Sequence, residues 1–334
     1  MSDVPKLLAS LQVGRAIAAV AVLLCHAEQF TRQFTEVPPW LHLPLSYGYL
    51  GVDFFFALSG FIIYFANHDE AGHAGWAARY SGSRLTRIFA PYLPIGVMLG
   101  VAYTLQPQLA AGYDWNWFST LTLLPSGGSP SLGVAWTLQH EILFYAIMLV
   151  LIAARRVLIG CLIWLGAIGI AEVAGTPVIG LSLIDVEFIG GIAAAWLFIR
   201  RPRGSVWPSA MLGAGLCLAG GFLGFPEARV LLGLGLASLI LATARLEVAG
   251  GWRVPQGVLL LGEASYAIYL VHVPVLRFAA RVAGPALTWE LLLPLLIAIG
   301  VLAGLAYHLG FERPALRQVR RLLRREPAAA APRN

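Results

Sequence analysis

The feature that most limits what this chain can become is a series of ten apolar runs separated by short polar segments. Most runs are about 17 to 23 residues long, the length that crosses a hydrocarbon core as a helix rising 1.5 Å per residue. They lie at roughly 7–29, 46–67, 87–105, 132–153, 157–174, 180–199, 206–223, 228–244, 257–279 and 290–311. Within lipid the backbone must satisfy its own hydrogen bonds, which leaves helices or closed barrels. The runs lack strict two-residue alternation and are too long for barrel strands. The expected fold is therefore all-α, a polytopic transmembrane helix bundle of about ten spans. Composition agrees. Hydrophobic residues make up 58% of the chain and charged residues 12%. That is about half the share of charge in a soluble domain.

The net charge of +6 is distributed as orientation signals. With the N-terminus in the cytoplasm, the cytoplasmic segments carry Lys6; Arg79, Arg84 and Arg87; Arg155 and Arg156; Arg200, Arg201 and Arg203; Arg245 and Arg253. Arg313, Arg317, Arg320, Arg321, Arg324, Arg325 and Arg333 follow the last run. The outer segments keep Arg32, Arg229, Arg277 and Arg281. This asymmetry predicts that both termini are cytoplasmic and that the number of spans is even. It also excludes a nucleic-acid partner, which would need one contiguous basic face. The expected organisation is a transmembrane domain over 1–313 and a basic tail over 314–334, lying on anionic lipid and disordered at its end. The first run contains Arg15 and no small-residue cleavage site, so it reads as a retained helix. Cys25, Cys161 and Cys217 fall inside apolar runs, with neither disulfide nor metal spacing, and no metal is expected. Trp115 and Trp117, in the long outer connection 106–131, suit either the headgroup level or a sugar face.

An ionisable group within a span costs about 2.5 to 3.5 kcal/mol at the helix centre on insertion scales, so each needs a reason. Arg15 and His26 are eleven residues apart on the first span. They share one face roughly 16 Å apart, Arg15 toward the cytoplasm. Asp53 sits in the outer half of the second span, where His26 is a plausible partner, and Ser59-Gly60 below it suits close helix approach. Arg84 and Arg87 precede the third span at i, i+3, so their forks share a face suited to phosphate oxygens. The fourth span opens on Trp136 and carries Glu141 and Tyr145 one turn apart, with His140 about 100° away from Glu141. Asp185, Glu187, Ser265, Tyr266, Tyr269, His272, His308 and Glu312 complete the polar set. Two levels result: an inner cationic one fit for a phosphorylated donor, and an outer imidazole–carboxylate one fit for proton transfer. A transporter lines its path with similar groups, so these residues alone leave enzyme and transporter both open. The inverted repeat a transporter favours is not visible.

Taken in order, these segments resemble the acyltransferase family 3 membrane proteins, in particular those acting on bacterial exopolysaccharide and lipopolysaccharide. The resemblance is carried by Leu11-Gln12-Val13-Gly14-Arg15-Ala16 with His26, and by Gly51-Val52-Asp53-Phe54-Phe55-Phe56-Ala57-Leu58-Ser59-Gly60-Phe61. It continues through Arg84-Leu85-Thr86-Arg87 with Pro91-Tyr92, and Trp136-Thr137-Leu138 with Glu141 and Phe144-Tyr145. It closes with Leu261-Gly262-Glu263-Ala264-Ser265-Tyr266 through His272, and Glu312-Arg313-Pro314. Gly14 departs from the family, where a bulkier apolar residue is common. The resemblance implies a membrane-bound O-acyltransferase that takes an acyl group, usually from acetyl-CoA at the cytoplasmic side, and places it on a carbohydrate. It implies a place in the bacterial inner membrane and a glycan or glycolipid acceptor, with the membrane core working alone or beside polysaccharide-assembly proteins. On this expectation Arg15, Arg84 and Arg87 hold the donor's phosphates, and His26 acts as base or as nucleophile. Asp53 or Glu141 orients His26, and Tyr145, His272 and Trp136 contact the acceptor.

Overall fold

The structure, a computed structural model, describes residues 8–71, 73–223, 228–250 and 254–325. Each of the ten apolar runs is occupied by a helix. The first three long helices are α1 (Ala9–Thr31), α3 (Leu50–Asn67) and α4 (Trp76–Leu105), with a short α2 (Pro39–Ser46) between α1 and α3. A single turn, α5 (Trp117–Thr122), sits in the long connection after α4. Then come α6 (Trp136–Ala153), α7 (Val157–Val173), α8 (Val186–Arg200), α9 (Trp207–Leu223), α10 (Arg229–Gly250), α11 (Gln256–Ala283), α12 (Trp289–Tyr307) and α13 (Arg313–Arg325). Seven helical stretches among the described residues are long and apolar enough to cross a membrane, while α7 and α9 are apolar but shorter. The protein is thus an all-helical, multi-pass membrane protein. Lys6, Arg253, Arg333 and the last stretch of the tail, 326–334, lie outside the described residues.

One boundary differs from expectation. The third helix begins at Trp76, not near 87, so Arg84 and Arg87 lie inside it. Residues 76–86 are too polar to register as a span, yet Trp76, Tyr80 and Ile88 recur at helical spacing and are buried. The basic tail begins as a helix, α13, through Arg325, and its expected disordered end lies outside the described residues. It continues from α12 through a π-helical turn, His308–Glu312, within which His308 Nδ1 and Glu312 Oε2 lie 2.7 Å apart.

The bundle closes through small residues and stacked rings. A Cβ on Gly60 would collide with the Phe188 carbonyl, and one on Gly191 with the Ala57 carbonyl, so α3 and α8 touch backbone to backbone. Beside that crossing, Phe188 stacks on Phe56 at 4.6 Å and on Phe144 at 4.2 Å, and Phe144 meets Trp164 at 6.3 Å. Those four rings tie α3, α8, α6 and α7 together. Gly14 leaves room for the Phe54 ring, a physical reason for a small residue there. In the outer connection, Trp115 packs 5.5 Å from both Tyr103 and Trp117, and Gly100 of α4 admits the Trp117 ring. These indoles seat the connection on α4.

Candidate active site

Three helices bring the basic residues together. A Cβ at Gly262 of α11 would meet the Gln12 carbonyl, so α1 and α11 run in close contact there. That contact lets the Arg15 guanidinium donate to Gly262 O at 3.2 Å and to Ser265 Oγ at 2.9 and 3.1 Å. On α4, Arg84 and Arg87 present their forks three residues apart. Arg84 lies 5.9 Å from the Tyr80 ring, and its buried Nε has no partner among the described residues.

All three arginines line one cavity with Glu141, Tyr145 and the α11 residues Ser265, Tyr266 and Tyr269. Phe55, Phe56, Ile62, Ile63 and Leu138 supply apolar wall. Glu141 Oε1 accepts from Ser59 Oγ at 3.2 Å and from the Tyr145 hydroxyl. Glu141 Oε2 keeps no protein partner among the described residues. Three guanidinium groups thus share the lining with one carboxylate, which gives the cavity an excess of positive charge. The two levels read from the sequence are merged here, with Glu141 on the same wall as the arginines. Ser59, expected to serve close packing, holds Glu141 instead, while Gly60 serves the packing.

His26 lies beside this cavity, one wall away. Its Nδ1 is 3.0 Å from Val22 O and 3.3 Å from Nε2 of His272. Nδ1 of His272 faces the carbonyls of Tyr269 at 2.7 Å and Ile268 at 3.2 Å. A carbonyl only accepts, so the Nδ1 of each ring carries its hydrogen. His272 Nε2 then accepts from His26 Nδ1–H, and His26 keeps a lone pair on Nε2. His26 is half-buried and His272 fully buried. The wall between pair and cavity is Tyr269, whose ring centroid is 5.7 Å from that of His272.

Four expectations need correction. Asp53 does not reach His26. It is fully buried and gripped by Arg229, with Nε 2.5 Å from Oδ1 and Nη2 3.1 Å from Oδ2. A carboxylate with no exposure takes the strongest fork in range, and Arg229 opens α10 directly opposite it. Glu141 makes no hydrogen bond to His26, and His272 holds that ring. His272 itself is too enclosed to contact an acceptor. Trp136 lies outside the cavity, edge-on to His140 at 5.7 Å. His140 turns away from Glu141 as expected and pairs with Asp185 at 2.7 Å. Sequence reasoning missed the Arg229–Asp53 pair and the cavity role of Thr137. The available signal for the first was an arginine at the mouth of an apolar run matched to a buried acid on another.

The acyltransferase domain family model matches residues 8–308. The exopolysaccharide production protein ExoZ of Rhizobium meliloti is 32% identical over 299 residues, covering 82% of this chain and 91% of that protein. The acyltransferase MdmB of Streptomyces mycarofaciens is 27% identical, covering 97% of this chain and 95% of that protein. No solved structure matches the chain.

Proposed function

The chain belongs to the acyltransferase domain family, and from that premise we propose that it is a membrane O-acyltransferase moving an acetyl group from cytoplasmic acetyl-CoA to a sugar hydroxyl. The acceptor is an exopolysaccharide, a lipopolysaccharide or a lipid-linked precursor. The similarity to an exopolysaccharide production protein supports that choice. The arginine asymmetry supports an inner-membrane placement with ten spans and both termini cytoplasmic, α13 lying on anionic lipid.

The observation that carries the reading is the convergence of Arg15, Arg84, Arg87 and Glu141 on one cavity beside an imidazole pair. Arg84 and Arg87 grip donor phosphates through charge-assisted hydrogen bonds. Arg15, steadied by Ser265, faces the next part of the donor. The apolar wall of Phe55, Ile62 and Ile63 accepts a flexible thioester arm. His26 Nε2 removes the proton from the acceptor hydroxyl as the hydroxyl attacks the thioester carbonyl. As His26 becomes cationic, its Nδ1–H points at the His272 lone pair, which steadies that charge. Glu141 adds the negative field of a carboxylate within the same wall. The coenzyme A thiolate takes the proton back from His26 Nε2 and leaves as the thiol along the arginine-lined path, which returns the imidazole to its neutral form.

The test is coenzyme A release from acetyl-CoA by the purified protein in detergent, wild type beside His26→Ala. Release by wild type alone supports both the activity and His26. Silence of wild type with acetyl-CoA and cell-envelope glycolipid removes the donor assignment. Equal release by both proteins removes His26 from the chemistry.

A further inference from the structure

At the end of the bundle where α3 and α6 stop and α4 and α7 start, a second groove opens, lined by Tyr64, His68, Asp69, Ile152, Arg155 and Arg156. It adjoins the arginine cavity. Ile63 lines the cavity and Tyr64 the groove. On α6 the step from Tyr145 to Ile152 is seven residues, about 10 Å along the helix.

Its chemistry is that of a nucleotide end. Tyr64 and His68 stand one turn apart with ring centroids 5.7 Å from each other and planes tilted by 37°, so either ring offers a face to a base. Arg155 and Arg156 flank the groove, and Val157, Leu158 and Ile159 in the first turn of α7 line it. Asp69 is the opposing charge, 3.0 Å from His68 Nε2.

A second observation sets this pair of arginines apart from ordinary orienting charges. Arg155 has φ 53°, a left-handed conformation at the end of α6 where glycine is the usual residue. Its N–H bonds Ile152 O at 2.9 Å, and the Arg156 N–H bonds Leu151 O at 3.2 Å. Its Nη2 donates to Ala71 O at 2.8 Å, which holds the side chain along the groove.

We propose that this groove binds the adenosine 3′-phosphate end of the acyl-CoA donor, with Arg155 and Arg156 on the phosphate monoester and Tyr64 and His68 beside the adenine. The proposal rests on the acyl-CoA reading above and deepens it. The main cavity would read the pyrophosphate and the thioester arm, and this groove would distinguish coenzyme A from donors lacking the 3′-phosphate.

The test uses the full-length protein in detergent and two donors, acetyl-CoA and acetyl-3′-dephospho-CoA, with wild type, Arg155→Gly and Arg156→Gln. Glycine relieves the left-handed backbone, so Arg155→Gly removes the guanidinium without threatening the fold. Expected is a KM for the dephospho donor roughly ten- to a hundredfold above that for acetyl-CoA in wild type, with the two values converging in both variants. Equal KM values in wild type overturn the proposal and leave the donor assignment intact. So does discrimination that survives in both variants. Activity restored by added anionic phospholipid, with no donor discrimination, assigns the groove to a lipid phosphate and also overturns it. A wild type that uses neither donor but accepts a different acyl donor removes the acyl-CoA reading and this proposal with it.

Discussion

His26 and His272 meet edge to face, ring centroids 4.9 Å apart, with Nε2 of the buried ring 3.3 Å from Nδ1 of the half-buried one. They sit 246 residues apart in sequence, and backbone carbonyls at each Nδ1 fix the two tautomers. Replacing His26 by alanine removes the basic nitrogen and is expected to lower kcat by about 10² to 10⁴. His272→Ala removes only the partner of Nδ1, so the ring keeps its lone pair but not its aim. Its loss is expected to be smaller, roughly ten- to a hundredfold, with KM for the donor little changed. Steady-state coenzyme A release at saturating donor separates the two. An unaltered kcat in His272→Ala would sink the positioning role.

The arginine cavity predicts a different kinetic signature. Arg87→Gln leaves a hydrogen-bond donor but no charge, and it does not touch the imidazole pair. A charge-assisted hydrogen bond contributes about 1.5 to 3 kcal/mol, so coenzyme A should bind roughly ten- to a hundredfold more weakly. Arg84→Gln should behave alike, with kcat at saturation largely kept. Calorimetric titration of coenzyme A into the detergent-solubilised variants checks this. Unchanged affinity in both would remove them from the donor site.

Asp53 and Arg229 make the opposite kind of prediction, about stability. Asp53 has no exposed surface, so Arg229→Ala leaves a buried charge without compensation and is expected to destabilise by about 3 to 5 kcal/mol. Neutralising both partners together, Asp53→Asn with Arg229→Gln, should cost less than Arg229→Ala alone. Thermal unfolding in detergent ranks the three proteins. A double variant no more stable than Arg229→Ala would mean that the pair is not the source of the loss.

Two glycines offer a paired control on packing. In Gly60→Ala the new methyl meets the Phe188 carbonyl, which belongs to backbone and cannot swing aside. Overpacking of this kind costs about 1 to 3 kcal/mol. Gly166 of α7 has nothing within 4 Å of its Cβ direction, so Gly166→Ala should be neutral or stabilising by up to about 1 kcal/mol. The same unfolding measurement reads both, and a reversed order would contradict the α3–α8 crossing.

Much of this molecule was readable without coordinates, for a physical reason. Hydrocarbon imposes one length on every crossing helix, so α1, α3, α6, α11 and α12 announce themselves as apolar runs. It also makes Arg15, His26, Asp53 and Glu141 conspicuous as costly. What it does not reveal is which costly group offsets which. Asp53 lies 176 residues from Arg229, and no local pattern couples them. The first turns of α4 escaped detection because their buried stripe of Trp76 and Tyr80 alternates with serine and arginine. Trp115 and Trp117 looked equally suited to lipid or sugar until Gly100 and Tyr103 were seen to receive them.

The commitment of His26 Nδ1 to Val22 and His272 has a consequence for timing. The ring is left with one atom for chemistry, and one atom does one job at a time. If Nε2 takes the proton of the acceptor, donor and acceptor must occupy the bundle together, and their initial-rate lines intersect. If Nε2 carries the acyl group, it is unavailable as a base until that group departs. The two substrates then call in turn, the lines run parallel, and the second half of the cycle falls to another base, for which the free oxygen of Glu141 is the candidate within the cavity. The order of arrival of two substrates thus reduces to the occupancy of a single nitrogen.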